Sequence, residues 1–256
     1  MRHYPDCAEV SFYATMAEHY DKWACRFNGR YLLAHDIQNE LVRRSPCVKQ
    51  DASPIIVDFG CGTGTDAIEL LKTLPRARFF GIDSSPEMLR IAKLKAEESG
   101  VLSRCIFVCE NFLSIDSAWL KERLNSHYGR SQANSVISAF ALHHYDGRDK
   151  ELVYHQAHSV LAMGGIFINT DLVSSALPWI ARHLLEEELS DIRSISLAEG
   201  VEGRQVVAEW ISHYRNANRP LPLVRDLSIL GAVGFNFSEV AFRHSQVAVI
   251  AAFRGW

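Results

Sequence analysis

The segment Ile55-Ile56-Val57-Asp58-Phe59-Gly60-Cys61-Gly62-Thr63-Gly64-Thr65 constrains this chain more than any other. Three apolar, β-prone residues lead into an acid. Glycine then recurs at every second position, and Asp66-Ala67-Ile68-Glu69-Leu70-Leu71 can be helical. The pattern reads as a buried strand, a tight turn and a helix N-terminus. Glycine is needed where the backbone takes positive φ or lies close against a ligand. The free N–H groups at the helix start then face the bound molecule.

The spacing separates this turn from other glycine-rich loops. Gly60, Gly62 and Gly64 form G-x-G-x-G, with no fourth glycine and no Gly-Lys-Ser/Thr. Asp58 stands two residues before the first glycine. A carboxylate there repels a pyrophosphate and suits a ligand carrying an ammonium or sulfonium. Further along, Phe79-Phe80-Gly81-Ile82-Asp83 is a second buried strand, and its acid lies 19 residues after Gly64. That is close to the interval at which a doubly wound sheet sets an acid on a ribose, where a carboxylate accepts two hydroxyl hydrogen bonds. Ser85 suits an N-cap, Pro86 the first turn and Glu87 the dipole of the next helix.

Cys105–Cys109 is a third strand, Ser135–Phe140 a fourth and Ile166–Thr170 a fifth. Helices are predicted over 116–130 and over 149–161, the latter ended by Met163-Gly164-Gly165. The alternation of strand and helix is the grammar of a parallel doubly wound sheet. Upstream, 11–28 and 29–44 read as amphipathic helices, and 45–54 as a loop into the first strand. Residues 173–224 break the alternation with two helical stretches, 177–199 and 206–218, carrying Trp179, His183, Trp210, His213, Tyr214 and Arg215. Glu186-Glu187-Glu188 reads as a solvated helix face. The chain closes with a helix over 224–230, a glycine turn over 231–235 and strands over 236–243 and 246–253.

Motif by motif, the chain resembles class I S-adenosylmethionine (SAM)-dependent methyltransferases. The glycine turn resembles motif I. Gly81-Ile82-Asp83-Ser84-Ser85-Pro86-Glu87-Met88-Leu89 resembles motif II, and Ala141-Leu142-His143-His144-Tyr145 resembles motif IV of small-molecule members. Leu230-Gly231-Ala232-Val233-Gly234-Phe235 resembles the turn before the last two strands. The resemblance implies an α/β, Rossmann-like doubly wound sheet of seven strands, mostly parallel with an antiparallel last strand. It implies one domain over 1–256: a helical N-terminal lid (1–50), a SAM-binding core (51–171), a helical substrate-covering insertion (172–224) and closing strands (225–256). The SAM contacts it implies are Tyr20 over the cofactor, Asp58 and the backbone at Ala139 for the methionine ammonium, and the loop Gly60, Cys61, Gly62 and Gly64 along the methionine and ribose. Asp83 then takes the ribose hydroxyls, and Ser84, Met88 and Phe112 flank adenine. Family members carry an acid where Asn111 stands; either its side-chain carbonyl or the neighbouring Glu110 meets the adenine amine.

The implied reaction is in-line displacement at the sulfonium methyl, with a metabolite or natural product as acceptor. His143, His144 and Tyr145 lie just past a strand's carboxyl end, where such sheets bind ligands. They are the candidates to orient or deprotonate the acceptor, and a structural histidine behind the loop is the other reading for at least one of the pair. The Asn/Asp-Pro-Pro-Tyr/Phe pattern of nucleobase N-methylating enzymes is missing. A net charge of −3 with no basic run argues in the same direction, against nucleic acid. The six cysteines, at 7, 25, 47, 61, 105 and 109, include no C-x-x-C and suggest a reduced compartment and no zinc site. His155 and His158, three apart, lack a third ligand, so no metal is expected. No apolar run is long enough for a bilayer and the N-terminus has no signal-peptide core, so the expectation is a cytoplasmic protein. Two competing functions remain: a protein that modifies or senses SAM without methyl transfer, and a nicotinamide-dependent oxidoreductase.

Overall fold

A computed structural model describes residues 16–27, 30–198 and 201–255. The predicted helix over 11–28 falls partly outside these; within them α1 spans Tyr20–Phe27. Helix α2 (Tyr31–Arg44) follows, then a short α3 (Pro46–Lys49) inside the segment expected to be a loop. Pro46 fits the first turn of α3, where its missing N–H has no helical partner to lose.

The core alternates as the sequence predicts: β1 (Ile55–Phe59), α4 (Thr65–Thr73), β2 (Arg78–Asp83), α5 (Pro86–Glu98), β3 (Cys105–Cys109), α6 (Ser117–Tyr128), β4 (Ala133–Ala139), α7 (Gly147–Val160) and β5 (Leu161–Leu172). The insertion contributes α8 (Pro178–Ala198) and α9 (Val201–Asn216), and the chain ends with α10 (Leu223–Val233), β6 (Phe237–His244) and β7 (Val247–Phe253). All seven strands form one sheet in the order β3-β2-β1-β4-β5-β7-β6. β7 runs antiparallel to both β5 and β6, and the other pairings are parallel.

β1 is buried at every position, which explains its unbroken apolar run. Its side chains feed two cores. Ile56 belongs to the core that also takes in residues of α2, α4 and α5 and Leu189, Ile192, Val207 and Tyr214 of the insertion. Ile55, Val57 and Phe59 pack with α6, α7 and α10. The insertion therefore lies on the same face of the sheet as the N-terminal helices. Side-chain caps fix several helix starts: Ser85 accepts from the Met88 N–H at 3.2 Å, Asp116 from Trp119 at 2.8 Å, and Asp146 from Arg148 at 2.8 Å.

Three boundaries and one burial differ from expectation. The helix before β5 stops at Val160, and Gly164 (φ +73°) lies within β5, its N–H bonded to the Arg254 carbonyl at 2.9 Å. That glycine bends a strand rather than ending a helix. α9 begins at Val201 and runs through Gly203. α10 runs through Gly231 and stops at Gly234, whose φ of +113° is the true terminator. Glu188, expected in solvent, is buried between α8 and the core, while Glu186 and Glu187 are exposed.

Candidate functional site

The loop after β1 is held by its neighbours. The Gly60 and Cys61 N–H groups donate to the Ile82 carbonyl at 2.8 and 3.1 Å, and Gly62 N–H donates to Asp83 Oδ2 at 2.8 Å. Gly60 has φ +79°, and a Cβ there would sit 2.4 Å from Ala141 Cβ. Only glycine lets the β1 loop pass so close to the loop after β4. Those two loops part where the strand order reverses about β1, the crevice in which doubly wound sheets bind ligands.

A cavity opens there, continuous with solvent. Of the predicted cofactor contacts, Tyr20, Asp58, Gly60, Cys61, Gly62 and Asp83 line it, as do Ser84, Met88, Phe112 and Ala139. Of the predicted catalytic trio, His144 and Tyr145 line it. Gly64, Asn111 and His143 do not. Gly64 turns back into α4 with φ +74°, against Ala92. Asn111 spends its carbonyl on the Leu113 N–H at 2.9 Å, and Glu110 is exposed at the end of β3. Neither side chain of this pair lines the cavity. His143 turns away from the cavity and places Nδ1 2.5 Å from Asp171 Oδ1.

Asp58 is buried, and its Oδ1 has no hydrogen-bond partner among the described residues. Burial, and then the charges of Asp66 and Asp83, hold its carboxyl well above the usual carboxylate range. Asp83 is also raised by burial, against backbone donors at Ser85 and Gly62 that favour its ionised form. The chain passes from β4 into the cavity wall through Phe140, whose φ of +51° is rare for a large side chain. Its ring stacks on Tyr31 at 4.9 Å.

The sequence reading missed the contribution of α2. Tyr31 and His35 both line the cavity, beside Asp66 from α4. Asp66 accepts from His35 Nδ1 (2.8 and 2.9 Å to its two oxygens), from Gln38 Nε2 (3.0 Å) and from Asn39 Nδ2 (3.0 Å). His35, Gln38 and Asn39 fall at i, i+3 and i+4 on the helix face that also buries Ala34 and Val42. Three polar residues on an apolar face are the signal that marks them. Tyr20 hydrogen-bonds with Tyr31, and the next residue, Asp21, latches α1 to the glycine loop. Asp21 accepts from Thr63 Oγ1 at 2.5 Å and from Lys95 Nζ at 2.5 Å.

Comparison with known proteins agrees with this geometry. A family model described as a methyltransferase domain matches residues 50–216. The chain belongs to the class I SAM-dependent methyltransferase family. An uncharacterised methyltransferase of Emericella nidulans is 29% identical over 182 residues, which are 62% of this chain and 62% of that protein. A carboxy-S-adenosyl-L-methionine synthase of Helicobacter pylori is 21% identical over 225 residues, 88% of this chain and 82% of the relative. Among solved structures, a DhpI–SAH complex superposes with a TM-score of 0.61 at 14% identity, covering 97% of this chain and 96% of that one. A putative O-methyltransferase of Nostoc punctiforme gives a TM-score of 0.61 at 19% identity; 94% of this chain covers 59% of that chain. The chain thus spans about three fifths of the length of some of its relatives. No helix among the described residues is long and apolar enough to cross a membrane, and no cluster there is suited to a metal.

Proposed function

We propose that this chain transfers the methyl group of SAM to a small-molecule acceptor. The observation that carries the reading is Asp58: a buried carboxylate with an unpartnered oxygen, at the end of β1, in a cavity whose glycine loop is already shaped. Its need for a cationic partner matches the methionine ammonium. On this reading the backbone at Ala139 shares that ammonium. The imidazole of His35, tied to Asp66, faces the methionine end. Asp83 takes the ribose hydroxyls, Met88 and Phe112 sandwich adenine, and Tyr20 closes over it. The donor brings an already activated methyl on its sulfonium, so the protein's work is alignment and exclusion of water. Tyr31, Phe140, His144 and Tyr145 form the remaining wall, partly aromatic, and O-methyltransferase neighbours favour a metabolite-sized acceptor.

A second reading follows from relatives named carboxy-S-adenosyl-L-methionine synthases, whose product carries an added carboxylate. A buried carboxylate calls for a cation beside it. Among the described residues lining the cavity, none is Lys or Arg, which favours methyl transfer. Mass spectrometry after incubation with SAM and a panel of phenols, amines and carboxylic acids decides between them. Methyl transfer gives S-adenosylhomocysteine with a methylated acceptor. Conversion of SAM to a carboxylated form without S-adenosylhomocysteine would replace the proposal by the second reading.

A further inference from the structure

His35 stands upstream of the motifs that carry the family resemblance and outside residues 50–216, where the family model matches. Its imidazole is 7% exposed and lines the cavity. Nδ1 lies 2.8 and 2.9 Å from the two Asp66 oxygens, whereas Nε2 is buried with no hydrogen-bond partner among the described residues. Asp66 decides which nitrogen donates. Each of its oxygens already accepts from an amide, Gln38 or Asn39, at 3.0 Å, as a carboxylate does. A ring that donates to Asp66 through Nδ1 presents an accepting lone pair at Nε2. A buried acceptor left without a donor is costly, so the site is built for an occupant that supplies one. The ring is also packed in place: its centroid lies 4.3 Å from that of Tyr31 and 5.5 Å from that of Phe140. Phe140 holds its position with φ +51°, and backbone strain of that kind gathers at active sites.

We infer that His35, oriented by Asp66, is the catalytic base of this site and takes through Nε2 the proton of a hydroxyl acceptor of the phenol class. The inference rests on the methyl-transfer reading of the site. A base serves only an acceptor that keeps its proton until attack. A neutral amine attacks through its lone pair and sheds its proton afterwards, and a carboxylic acid arrives already ionised. A carboxylate would also meet the Nε2 lone pair, in a cavity with no Lys or Arg among its described lining residues. A hydroxyl donates to Nε2 before the reaction and needs it during the reaction. The flat rings of Tyr20, Tyr31 and Phe140 line the same cavity and suit an aromatic hydroxyl. In the step itself the acceptor oxygen bonds to the methyl carbon as the carbon–sulfur bond breaks. The electron pair of that bond stays on sulfur, leaving a neutral thioether, and the hydroxyl proton passes to Nε2. Asp66 faces the positive charge that the ring gains, and the proton leaves to water after the product. His144, the other imidazole lining the cavity, is the poorer base: burial, then the facing His143 and His213, hold its basicity well below the usual histidine range.

The test compares two phenols with the full chain at pH 8: para-methoxyphenol, which keeps its proton, and para-nitrophenol, which is largely ionised. Calorimetric titration with S-adenosylhomocysteine accompanies turnover. His35→Gln keeps a polar side chain that cannot take a proton. It is expected to bind S-adenosylhomocysteine as the wild type does. Its kcat with para-methoxyphenol is expected to fall by ~10²–10⁴-fold, the usual span of acid–base catalysis, and with para-nitrophenol far less. Equal losses with the two phenols place His35 in packing alone, and a loss of S-adenosylhomocysteine affinity that saturating SAM makes good places it in cofactor binding; either overturns the inference. A measurement on the wild type keeps the test open should His35→Gln not fold: turnover in D₂O is expected to slow with para-methoxyphenol and not with para-nitrophenol. Equal isotope effects, or no aryl methyl ether from either phenol while S-adenosylhomocysteine binds, overturn the inference and leave the methyl-transfer reading in place. Failure of S-adenosylhomocysteine to bind, or carboxylated SAM as the product, removes that reading itself, a result distinct from the others.

Discussion

Asp58 and Gly60 sit two residues apart and illustrate opposite demands. Asp58 is buried with a raised carboxyl, so the ligand-free fold favours its protonated form more than the unfolded chain does. A carboxylate whose folded pKa lies above its unfolded value contributes stability at low pH and loses it as pH rises through the folded pKa. A bound ammonium reverses that preference. The affinity for S-adenosylhomocysteine is therefore expected to rise with pH as Asp58 ionises. Asp58→Asn should weaken binding by ~10–100-fold, the value of a hydrogen bond to a charged group (~1.5–3 kcal/mol), and flatten the pH dependence. Calorimetric titration at several pH values reads both. Gly60→Ala acts through sterics instead: a Cβ would meet Ala141 at 2.4 Å, on a backbone with φ +79°. Overpacking of this kind costs about 1–3 kcal/mol before the backbone strain is added. A urea midpoint unchanged in Gly60→Ala would show that the two loops have room to part. The resemblance at these positions was legible because motif I is local: strand, turn and helix are consecutive, and each residue type answers to its own backbone conformation. The role of Asn111 was not legible, because whether its carbonyl points at a ligand or at the Leu113 N–H is a matter of one side-chain rotation.

At the scale of elements, α8 shows how a surface-like sequence is overruled. Three consecutive glutamates read as solvated, yet helical geometry points consecutive residues in different directions, and Glu188 faces inward. Burial, with Asp191 nearby, raises its carboxyl from 4.5 to about 7. The stability this group contributes is complete below the unfolded value, is lost between about 4.5 and 7, and above 7 the buried charge opposes folding. Glu188→Gln is accordingly expected to match the wild type at pH 4.5 and to exceed it at pH 8 by about 1–3 kcal/mol. Thermal unfolding at the two pH values checks this, and equal differences at both would place Glu188 in water. The strand β5 shows a second kind of limit. Gly164-Gly165 looks like a helix stop, but the Arg254 carbonyl, ninety residues further along the chain, captures the Gly164 N–H and makes it part of the sheet. Local sequence cannot announce a partner that arrives from the residue after β7.

For the whole molecule, the two cores flanking the sheet meet the ligand crevice at one end, so ligand binding and global stability are linked. S-adenosylhomocysteine at a hundred times its dissociation constant stabilises the folded state by about 2.7 kcal/mol. For a chain of this size that is a rise in the unfolding midpoint on the order of 5–10 °C. NAD⁺ and NADH are expected to leave the midpoint where it is. A shift with the nicotinamides instead would remove the methyltransferase reading.

The amino-acid sequence by itself determined the alternation of strands and helices, the glycine turn after β1 and the acids at the ends of β1 and β2. Each depends on residues within a few positions of one another, through strand burial, positive φ and helix capping. Only the tertiary structure decided which side chains meet. It brought α2 against α4 so that His35, Gln38 and Asn39 converge on Asp66, laid the insertion on the face of the N-terminal helices, and separated His144 in the cavity from His143 behind it. Those contacts join residues far apart in the chain. They are selected by the need to pair buried polar groups once the sheet has closed its two faces, a requirement that no local pattern encodes.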